Sequence, residues 1–435
     1  MVSFFHAYDL RGKYPDQISE REAERLGKAY GTYAHENVLV ARDGRSHAEK
    51  ITKAFNKGIK STGADIIDIG AVPTPVVYFD VRELGLKDAG VVKASHNPPE
   101  YTGFKFAKED ALAMSREGGM EEIEKIYEQE NFETGKGSIQ ERDVKQDYIQ
   151  AVAEKFEVDL NVVVNYGNGV ASNTAGELLE KIGCQVEGVN DKIDGSFPNH
   201  LPDPQDEAAQ NTVKEQMGGQ DLGIIFDGDG DRAGFIHNGH YISEDKVLAL
   251  FAEEMLYRKE GSVIHDLRAS KLVKERIEKS GGKPIESKVG HTFISEKIHR
   301  DTNAVFAGEL SGHYYFPGLG FPWDDGMVSA CLMCQILEDG RLEKLESYPD
   351  YPVSPELRID CPENKKRKVI EKLSQHFSDQ DIDRKDGLKI EFENGWALIR
   401  PSNTEEKMSV RCEADTEKDL EDIRSRVESK VRSLC

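Results

Sequence analysis

A serine flanked by a histidine stands where a predicted buried strand ends. The segment GVVKASHNPPEYTGFKF, residues 90–106, changes from an apolar run to Ser95, His96 and Asn97, which two prolines follow. Ligands of open α/β sheets bind beyond the carboxyl ends of the strands, so the Ser95 hydroxyl is well placed for chemistry. The prolines make the loop rigid, as a positioned nucleophile requires. The alternative is a serine that only caps a turn.

Three aspartates alternate with glycines in the segment DGDGDR, directly after the apolar run LGIIF. Carboxylates as close as Asp227, Asp229 and Asp231 repel one another unless a hard cation such as Mg²⁺ shares their charge. An EF-hand calcium loop needs Gly at its sixth position and Glu at its twelfth, and these positions hold Arg232 and Asn238. The pattern therefore predicts a magnesium site.

Two further segments carry groups that suit a phosphorylated sugar. GELSGHYYF places Glu309, Ser311 and His313 on alternating positions after a predicted strand, so that all three can face one side and hydrogen-bond a polyol. RPSNTEEKMSVR has the composition of an anion-binding turn for a phosphate, with Arg400, Ser402, Asn403, Thr404 and Arg411. With the serine and the magnesium site, these segments predict phosphoryl transfer onto or off a phosphosugar.

Strands and helices alternate along most of the chain and must position these segments. The pattern predicts an α/β protein of four domains around a central cleft: three similar βα mixed-sheet domains followed by a C-terminal α+β domain. A charged helix and a linker end the first domain. The predicted limits are 1–145 for the domain with the serine loop, 146–240 for the metal-loop domain, 241–345 for the sugar-recognition domain and 346–435 for the phosphate-binding domain.

Composition limits the partners. The chain has 57 Lys and Arg against 80 Asp and Glu, a formal net charge of −23, which repels nucleic acid and anionic membranes. An anionic substrate must therefore be attracted by a local basic pocket. No apolar run is long enough for a membrane span and the start does not resemble a signal peptide, so a cytoplasmic protein is expected. The six scattered cysteines, including CLMC at 331–334, are expected to be thiols, those of CLMC buried in the core.

The chain resembles the α-D-phosphohexomutase family, and within it the phosphomannomutase/phosphoglucomutase group. The resemblance covers almost the whole length in the order of the family's motifs. These are YDLRG, ASHNPPEYTGFKF, DGSFPNHLPDP, DGDGDR, SKVGH, GELSGHYYF, DDG and RPSNTE. It implies an enzyme, an intramolecular phosphotransferase of the isomerase class, that moves a phosphoryl group between O1 and O6 of mannose or glucose phosphates.

The same resemblance implies roles for individual residues. Ser95 would be the phosphorylated serine and, with Asp227, Asp229 and Asp231, would bind Mg²⁺. A hexose 1,6-bisphosphate would be the intermediate and activator. Catalytic positions near the transferring group would be Arg11, His96, Lys105 and His313, and the choice of the general base among them stays open. Substrate-binding positions would be Lys288, His291, Glu309, Ser311, Arg400, Ser402, Asn403, Thr404 and Arg411.

Alternatives remain within and outside this enzyme group. A phosphoglucosamine mutase is the second enzyme candidate, and a catalytically silent sugar-phosphate-binding homologue is the candidate from another class. The chain departs from the family pattern at Lys93, where many members have a smaller residue, at Asn165 and at Glu406. The expected partners are hexose phosphates, and the expected assembly is a monomer or a homodimer.

Overall fold

The computed structural model describes residues 4–5, 10–34, 36–402 and 406–435. The chain forms four β-sheets, one after another in sequence, each with its own helices. Two of the predicted phosphate-binding residues, Asn403 and Thr404, lie outside the described residues. None of the described helices combines the length and the apolar character that crossing a membrane requires.

The first sheet has six strands in the order β1-β5-β4-β2-β3-β6. Strands β2, β3, β4 and β6 are parallel, and β5 runs antiparallel between β4 and β1. Strand β4 is buried along its whole length because helices cover both faces of the sheet. The strands are β1 (Leu10–Lys13), β2 (Val38–Arg42), β3 (Ile66–Ala71), β4 (Asp88–Val92), β5 (Tyr101–Lys108) and β6 (Ile139–Glu141), and the helices are α1 (Glu20–Ala34), α2 (Ala48–Lys60), α3 (Thr74–Glu83) and α4 (Glu121–Gln129).

The second sheet has five strands in the order β11-β10-β9-β7-β8. Strand β7 pairs in parallel with β8 and β9, and β10 and β11 form an antiparallel hairpin. Asn238 and Gly239 make the hairpin turn with φ values of 52° and 74°, as expected for this dipeptide. The elements are α5 (Lys145–Ala153), β7 (Asn161–Asn165), α6 (Ala175–Ile182), β8 (Gln185–Val189), α7 (Glu207–Gln216), β9 (Leu222–Phe226), β10 (Ala233–His237) and β11 (His240–Ile242).

The third sheet has the order β13-β12-β14-β15-β16. Its elements are α8 (Glu244–Arg258), β12 (Ser262–Asp266), α9 (Lys271–Lys279), β13 (Lys283–Ser287), α10 (His291–Arg300), β14 (Ala304–Gly308), β15 (Tyr314–Phe316), β16 (Phe321–Asp324) and α11 (Gly326–Glu338). Helix α11 contains Cys331 and Cys334, which are buried free thiols, so the prediction for CLMC is confirmed.

These three sheets share one topology. In each, a central strand (β2, β7 or β12) has two parallel neighbours, and the second of these pairs with an antiparallel strand that follows it directly in the chain. The connections β4–β5, β9–β10 and β14–β15 therefore occupy equivalent positions. The prediction of three similar mixed-sheet domains is confirmed, and the three equivalent connections are the segments that carry Ser95, the aspartates and Glu309.

The fourth sheet is entirely antiparallel, in the order β17-β21-β20-β19-β18. Leu373 of α12 and Val427 of α13 belong to its own apolar core, so this segment has the α+β architecture expected from the sequence. The elements are β17 (Leu357–Asp360), α12 (Glu363–His376), β18 (Asp381–Asp383), β19 (Leu388–Phe392), β20 (Gly395–Pro401), β21 (Lys407–Ala414) and α13 (Glu417–Leu434). The residue limits given above for the four domains stay predictions.

Polar contacts join the fourth unit to the third. Lys389 Nζ lies 2.7 Å from Glu286 Oε1, and the Val289 amide donates to Asp386 Oδ2 at 3.2 Å. The same contact contains a small buried apolar cluster of Leu267, Trp396 and Leu398.

Candidate active site

Ser95 lies in the loop between β4 and β5, at the carboxyl end of a parallel strand. Its side chain is 4% exposed, and its φ of 46° is a left-handed conformation that is uncommon for a residue with a Cβ. The hydroxyl donates to Asp227 Oδ2 at 2.6 Å, and His96 Nδ1 lies 3.3 Å from Ser95 Oγ. A strained, buried hydroxyl with these partners does not fit a simple turn cap.

Arg45 binds the backbone of the serine loop. Its guanidinium donates to the carbonyl oxygens of Ser95 at 2.9 Å, Asn97 at 2.6 Å and Pro98 at 2.6 Å. The same side chain is 1% exposed and pairs with Asp43 at 3.1 Å. The five donors of a guanidinium make this possible, whereas an ammonium has three donors on a flexible stem.

We expect Arg45→Lys to lower kcat by about 100-fold, because a loop displaced by about 1 Å loses the geometry of the reaction. KM should change much less, since Arg45 touches the loop and not the cavity. The measurement is steady-state kinetics together with the melting temperature. Arg42→Lys is the matched control, because Arg42 makes a single long bond to the Asp43 carbonyl at 3.4 Å. Equal kcat values for Arg45→Lys and the wild type would contradict this role.

The three aspartates follow β9 and reach the serine loop from the second sheet. Asp227, Asp229 and Asp231 are 0%, 1% and 0% exposed. Gly228 permits the close approach, because a Cβ at this position would lie 2.7 Å from the Ser95 carbonyl oxygen. The metal loop and the serine loop are therefore packed directly against each other.

The carboxylate cluster fits a hard divalent cation. One oxygen from each of the three aspartates lies within 4.8 Å of the others. Asp229 Oδ1 is buried and has no hydrogen-bond partner among the described residues. A buried carboxylate oxygen without a partner is costly in free energy, and a set of oxygen ligands suits Mg²⁺.

Two ammonium groups lie inside the cluster. Lys93 Nζ contacts Asp229 and lies 2.7 Å from Asp231 Oδ2, and Lys105 Nζ lies 3.4 Å from that same oxygen. Burial alone would raise the pKa of Asp231, but the two ammonium groups hold it well below its usual range. Burial and the charges of Asp231 and Asp229 raise the pKa of Asp227 well above its usual range.

The third loop, between β14 and β15, completes the site. Glu309, Ser311 and His313 do come together, but on a tight turn in which the Gly312 amide donates to the Glu309 carbonyl. The three side chains share one side as expected, although the backbone between them is a turn and not an extended strand: His313 Nδ1 lies 3.5 Å from Glu309 Oε2. Ser311 Oγ lies 2.8 Å from His313 Nδ1, and His313 Nε2 lies 3.4 Å from Asp231 Oδ1. The third loop thus contacts the second.

A small cavity of about 60 Å³ lies among the three loops. Its lining is rich in cationic side chains, with Arg11, Lys93, Lys105 and Arg232 beside Ser95, His291 and His313. This is the local basic pocket that an anionic substrate of an acidic protein requires.

The pKa values of two histidines of the cavity, His96 and His313, are shifted in opposite directions. The Arg232 guanidinium, burial and Arg11 hold the pKa of His96 well below its usual range, so its ring is neutral and can accept a proton. Burial and Arg232 act to lower the pKa of His313, but Asp231 and Glu309 outweigh them and raise it. Burial would also lower the pKa of Lys105, yet Asp324 and Asp231 raise it. Lys105 therefore stays charged and can stabilise negative charge.

Other predicted site residues lie at the edges of this cavity or beyond it. Arg11 on β1 donates to Asn97 Oδ1 at 2.5 Å. Lys288 is exposed, with its ammonium 5.2 Å from the centre of the Phe293 ring. Arg400 pairs with Asp386 at 2.8 Å.

The fourth unit holds the remaining predicted phosphate-binding residues. Arg411 on β21 pairs with Asp245 of the third unit at 3.3 Å. Ser402 follows β20, and its carbonyl accepts from Lys366 Nζ at 2.6 Å. Both arginines of the predicted phosphate site thus have carboxylate partners within the protein, and phosphate binding by them stays a prediction.

Sequence reasoning missed four residues that the structure places at the site. Arg232 follows the third aspartate and donates through Nε to His313 Nε2 at 3.2 Å, and its position inside DGDGDR was the available signal. Asp324 accepts from Lys105 at 3.0 Å. Lys93 was noticed only as a departure, and nothing in the sequence marks Arg45.

Family comparisons agree with this geometry. The chain matches four families of phosphoglucomutase/phosphomannomutase domains: α/β/α domain I over residues 3–134, domain II over 146–240, domain III over 243–350 and the C-terminal domain over 356–430. The chain therefore belongs to the phosphoglucomutase/phosphomannomutase family. It is an enzyme, an intramolecular phosphotransferase of the isomerase class.

Individual relatives align over nearly the whole chain. A phosphomannomutase/phosphoglucomutase of Pseudomonas aeruginosa is 33% identical, with 100% of this chain and 96% of the relative covered. A phosphomannomutase of Methanocaldococcus jannaschii is 34% identical, with 99% and 98% covered. The crystal structure of a phosphoglucomutase/phosphomannomutase family protein from Burkholderia thailandensis superposes with a TM-score of 0.93 at 32% identity, covering 100% of this chain and 98% of that one.

Proposed function

We propose that this protein moves a phosphoryl group between O1 and O6 of mannose and glucose phosphates through Ser95. The observation that carries the proposal is the buried Ser95 hydroxyl, 2.6 Å from Asp227 and beside a cationic cavity. The family supports the reaction, and the names of the Pseudomonas and Methanocaldococcus relatives support the two sugars.

The reaction has two transfers. Phosphorylated Ser95 gives its phosphoryl group to the free hydroxyl of the hexose phosphate: the Oγ–P bond breaks, a P–O bond to the sugar forms, and the hydroxyl proton passes through a side chain of the site to the serine oxygen. The resulting 1,6-bisphosphate turns round and returns its other phosphoryl group to Ser95. No phosphate is gained or lost overall, so a trace of bisphosphate suffices to start the enzyme.

Different residues would stabilise the transferring group, bind the sugar and bind the phosphate that does not react. Arg11, Lys105 and His313 would stabilise charge on the transferring group, with His96 beside the serine oxygen. Glu309 and Ser311 would bind the 3- and 4-hydroxyls of the sugar, and Lys288 and His291 would hold the reoriented ligand. The phosphate that does not react would bind Arg400, Ser402, Asn403, Thr404 and Arg411.

Asp227, Asp229, Asp231 and Ser95 would hold Mg²⁺. When bound, the ion would neutralise part of the phosphoryl charge and polarise the phosphorus. Lys93 and Lys105 already supply positive charge next to these ligands.

We also propose a cytoplasmic location. All six cysteines, Cys184, Cys331, Cys334, Cys361, Cys412 and Cys435, are free thiols. Free thiols are typical of a reducing compartment.

The test is turnover of mannose 1-phosphate, glucose 1-phosphate and glucosamine 1-phosphate in parallel, with Mg²⁺ and a trace of hexose 1,6-bisphosphate. We expect kcat/KM for the first two to exceed that for the third by about tenfold or more, since a protonated amine would add a positive charge beside a cavity that is already lined by Arg11, Lys93, Lys105 and Arg232. Preference for the glucosamine compound would make the protein a phosphoglucosamine mutase. Binding of all three without conversion would make it a silent binding homologue.

A further inference from the structure

A lysine occupies part of the carboxylate cluster in which the metal is expected. Lys93 follows β4 directly and is 8% exposed. Its ammonium contacts Oδ2 of Asp229 and lies 2.7 Å from Oδ2 of Asp231. A single positive group thus binds two of the three predicted ligands.

The protein's own cations balance the cluster. Asp227, Asp229 and Asp231 bring three negative charges. Lys93, Lys105 and Arg232 bring three positive charges within 4.0 Å of these carboxylates, although Lys105 also pairs with Asp324 at 3.0 Å. Buried carboxylates without such partners would repel one another and weaken the fold. Of the three cations, only Lys93 contacts Asp229, so it is the one that offsets the charge of this carboxylate most directly.

A divalent ion that binds these aspartates must compete with the Lys93 ammonium for the same carboxylate oxygens. Two like charges a few ångströms apart in a buried site repel one another by several kcal/mol even at an effective dielectric constant of about 20. The ion must displace Lys93 from the two Oδ2 atoms or share the carboxylates with it. Either way, part of the free energy of metal binding is lost.

We propose that Lys93 is an internal competitor of the divalent cation: it holds Asp229 and Asp231 together when no metal is bound and weakens metal binding. The proposal rests on the metal site of the proposed function, and it adds a determinant of metal affinity that acts without substrate. The affinity for the metal can be measured without substrate, so the role of Lys93 can be tested separately from turnover.

The experiment is a titration with Mn²⁺ alone of the dephosphorylated protein, with free Mn²⁺ followed by electron paramagnetic resonance. We expect Lys93→Met to tighten the Kd for Mn²⁺ by about tenfold or more. Lys57→Met is the matched control: it removes the same charge from an exposed lysine paired with Glu24 at 2.7 Å, and its Kd should equal that of the wild type. An unchanged or weaker Kd in Lys93→Met would overturn the proposal.

Two further measurements cover the case in which Lys93→Met fails to fold. Lys93→Gln keeps a hydrogen-bonding group of similar length, and it should also bind Mn²⁺ more tightly than the wild type. In the wild type, saturating Mn²⁺ should increase amine labelling of Lys93, read by mass spectrometry, while labelling of Lys57 stays constant; a constant rate at Lys93 would contradict displacement.

The outcomes separate the two proposals. Absence of Mn²⁺ binding in the wild type and in every variant would overturn the metal site itself, and with it the role of Lys93. Normal Mn²⁺ binding with equal affinities would overturn only the role of Lys93. Failure of the sugar-phosphate turnover assay would leave the Mn²⁺ result unaffected.

Discussion

Replacing Ser95 with alanine should lower turnover of mannose 1-phosphate and glucose 1-phosphate by at least about 10⁴-fold, as the loss of a nucleophile does in other enzymes. In the proposed reaction the Ser95 oxygen forms the covalent bond to phosphorus in both transfers, and no other described hydroxyl hydrogen-bonds Asp227. The measurement is turnover with Mg²⁺ and a trace of bisphosphate. Intact-protein mass spectrometry should show a phosphoryl adduct on the wild type and none on the variant.

Ser61→Ala is the control for this change. Ser61 lies in the same domain at the end of α2, and its hydroxyl donates only locally, to the Gly58 carbonyl at 2.7 Å. This variant should keep wild-type turnover and the adduct. If Ser95→Ala retained turnover within tenfold of the wild type, Ser95 would be a turn residue and the covalent route would be wrong.

Asp229→Asn should weaken metal binding and turnover together, each by about 100-fold. The substitution preserves the shape of the side chain and can keep the hydrogen bond from Thr74. It removes one negative charge and one anionic ligand oxygen, which is the change that a hard cation is most sensitive to. The measurements are the Mg²⁺ concentration at half-maximal turnover and the Kd for Mn²⁺.

Asp147→Asn serves as the matched control, because Asp147 is an exposed carboxylate whose partner Arg142 lies 3.9 Å away. Its Mg²⁺ dependence should not change. Wild-type magnesium dependence in Asp229→Asn would refute the assignment of the metal site to the three aspartates.

The parts of the site that were predictable are local in sequence. The three aspartates are separated by single glycines, so their proximity follows from the chain itself. Ser95 was predictable because a buried strand ends three residues before it, at Val92. Strand β5 (Tyr101–Lys108) was missed because the two prolines before it suggested a loop, although β5 carries Lys105 between β4 and β1. The predicted linker after α4 also contains a strand, β6.

The parts that could not be predicted depend on contacts between distant residues. Arg45 binds backbone carbonyl oxygens about fifty positions further along the chain, and every residue has a carbonyl, so no side-chain pattern identifies the partner. Lys93 contacts Asp231, which lies 138 positions further along the chain. The Arg45 contacts join two loops of the first sheet and the Lys93 contact joins the first unit to the second, so both exist only in the tertiary structure.

The equivalence of the β4–β5, β9–β10 and β14–β15 connections has a consequence for how this enzyme can vary. One position of a single repeated architecture holds Ser95 in the first copy, the three aspartates in the second and Glu309 and Ser311 in the third. Each of the three groups of residues therefore lies in its own short connection, and each connection belongs to a separate copy of the sheet. If Glu309 and Ser311 bind the sugar as proposed, substitutions in the β14–β15 connection can change sugar preference while Ser95 and the three aspartates stay unchanged.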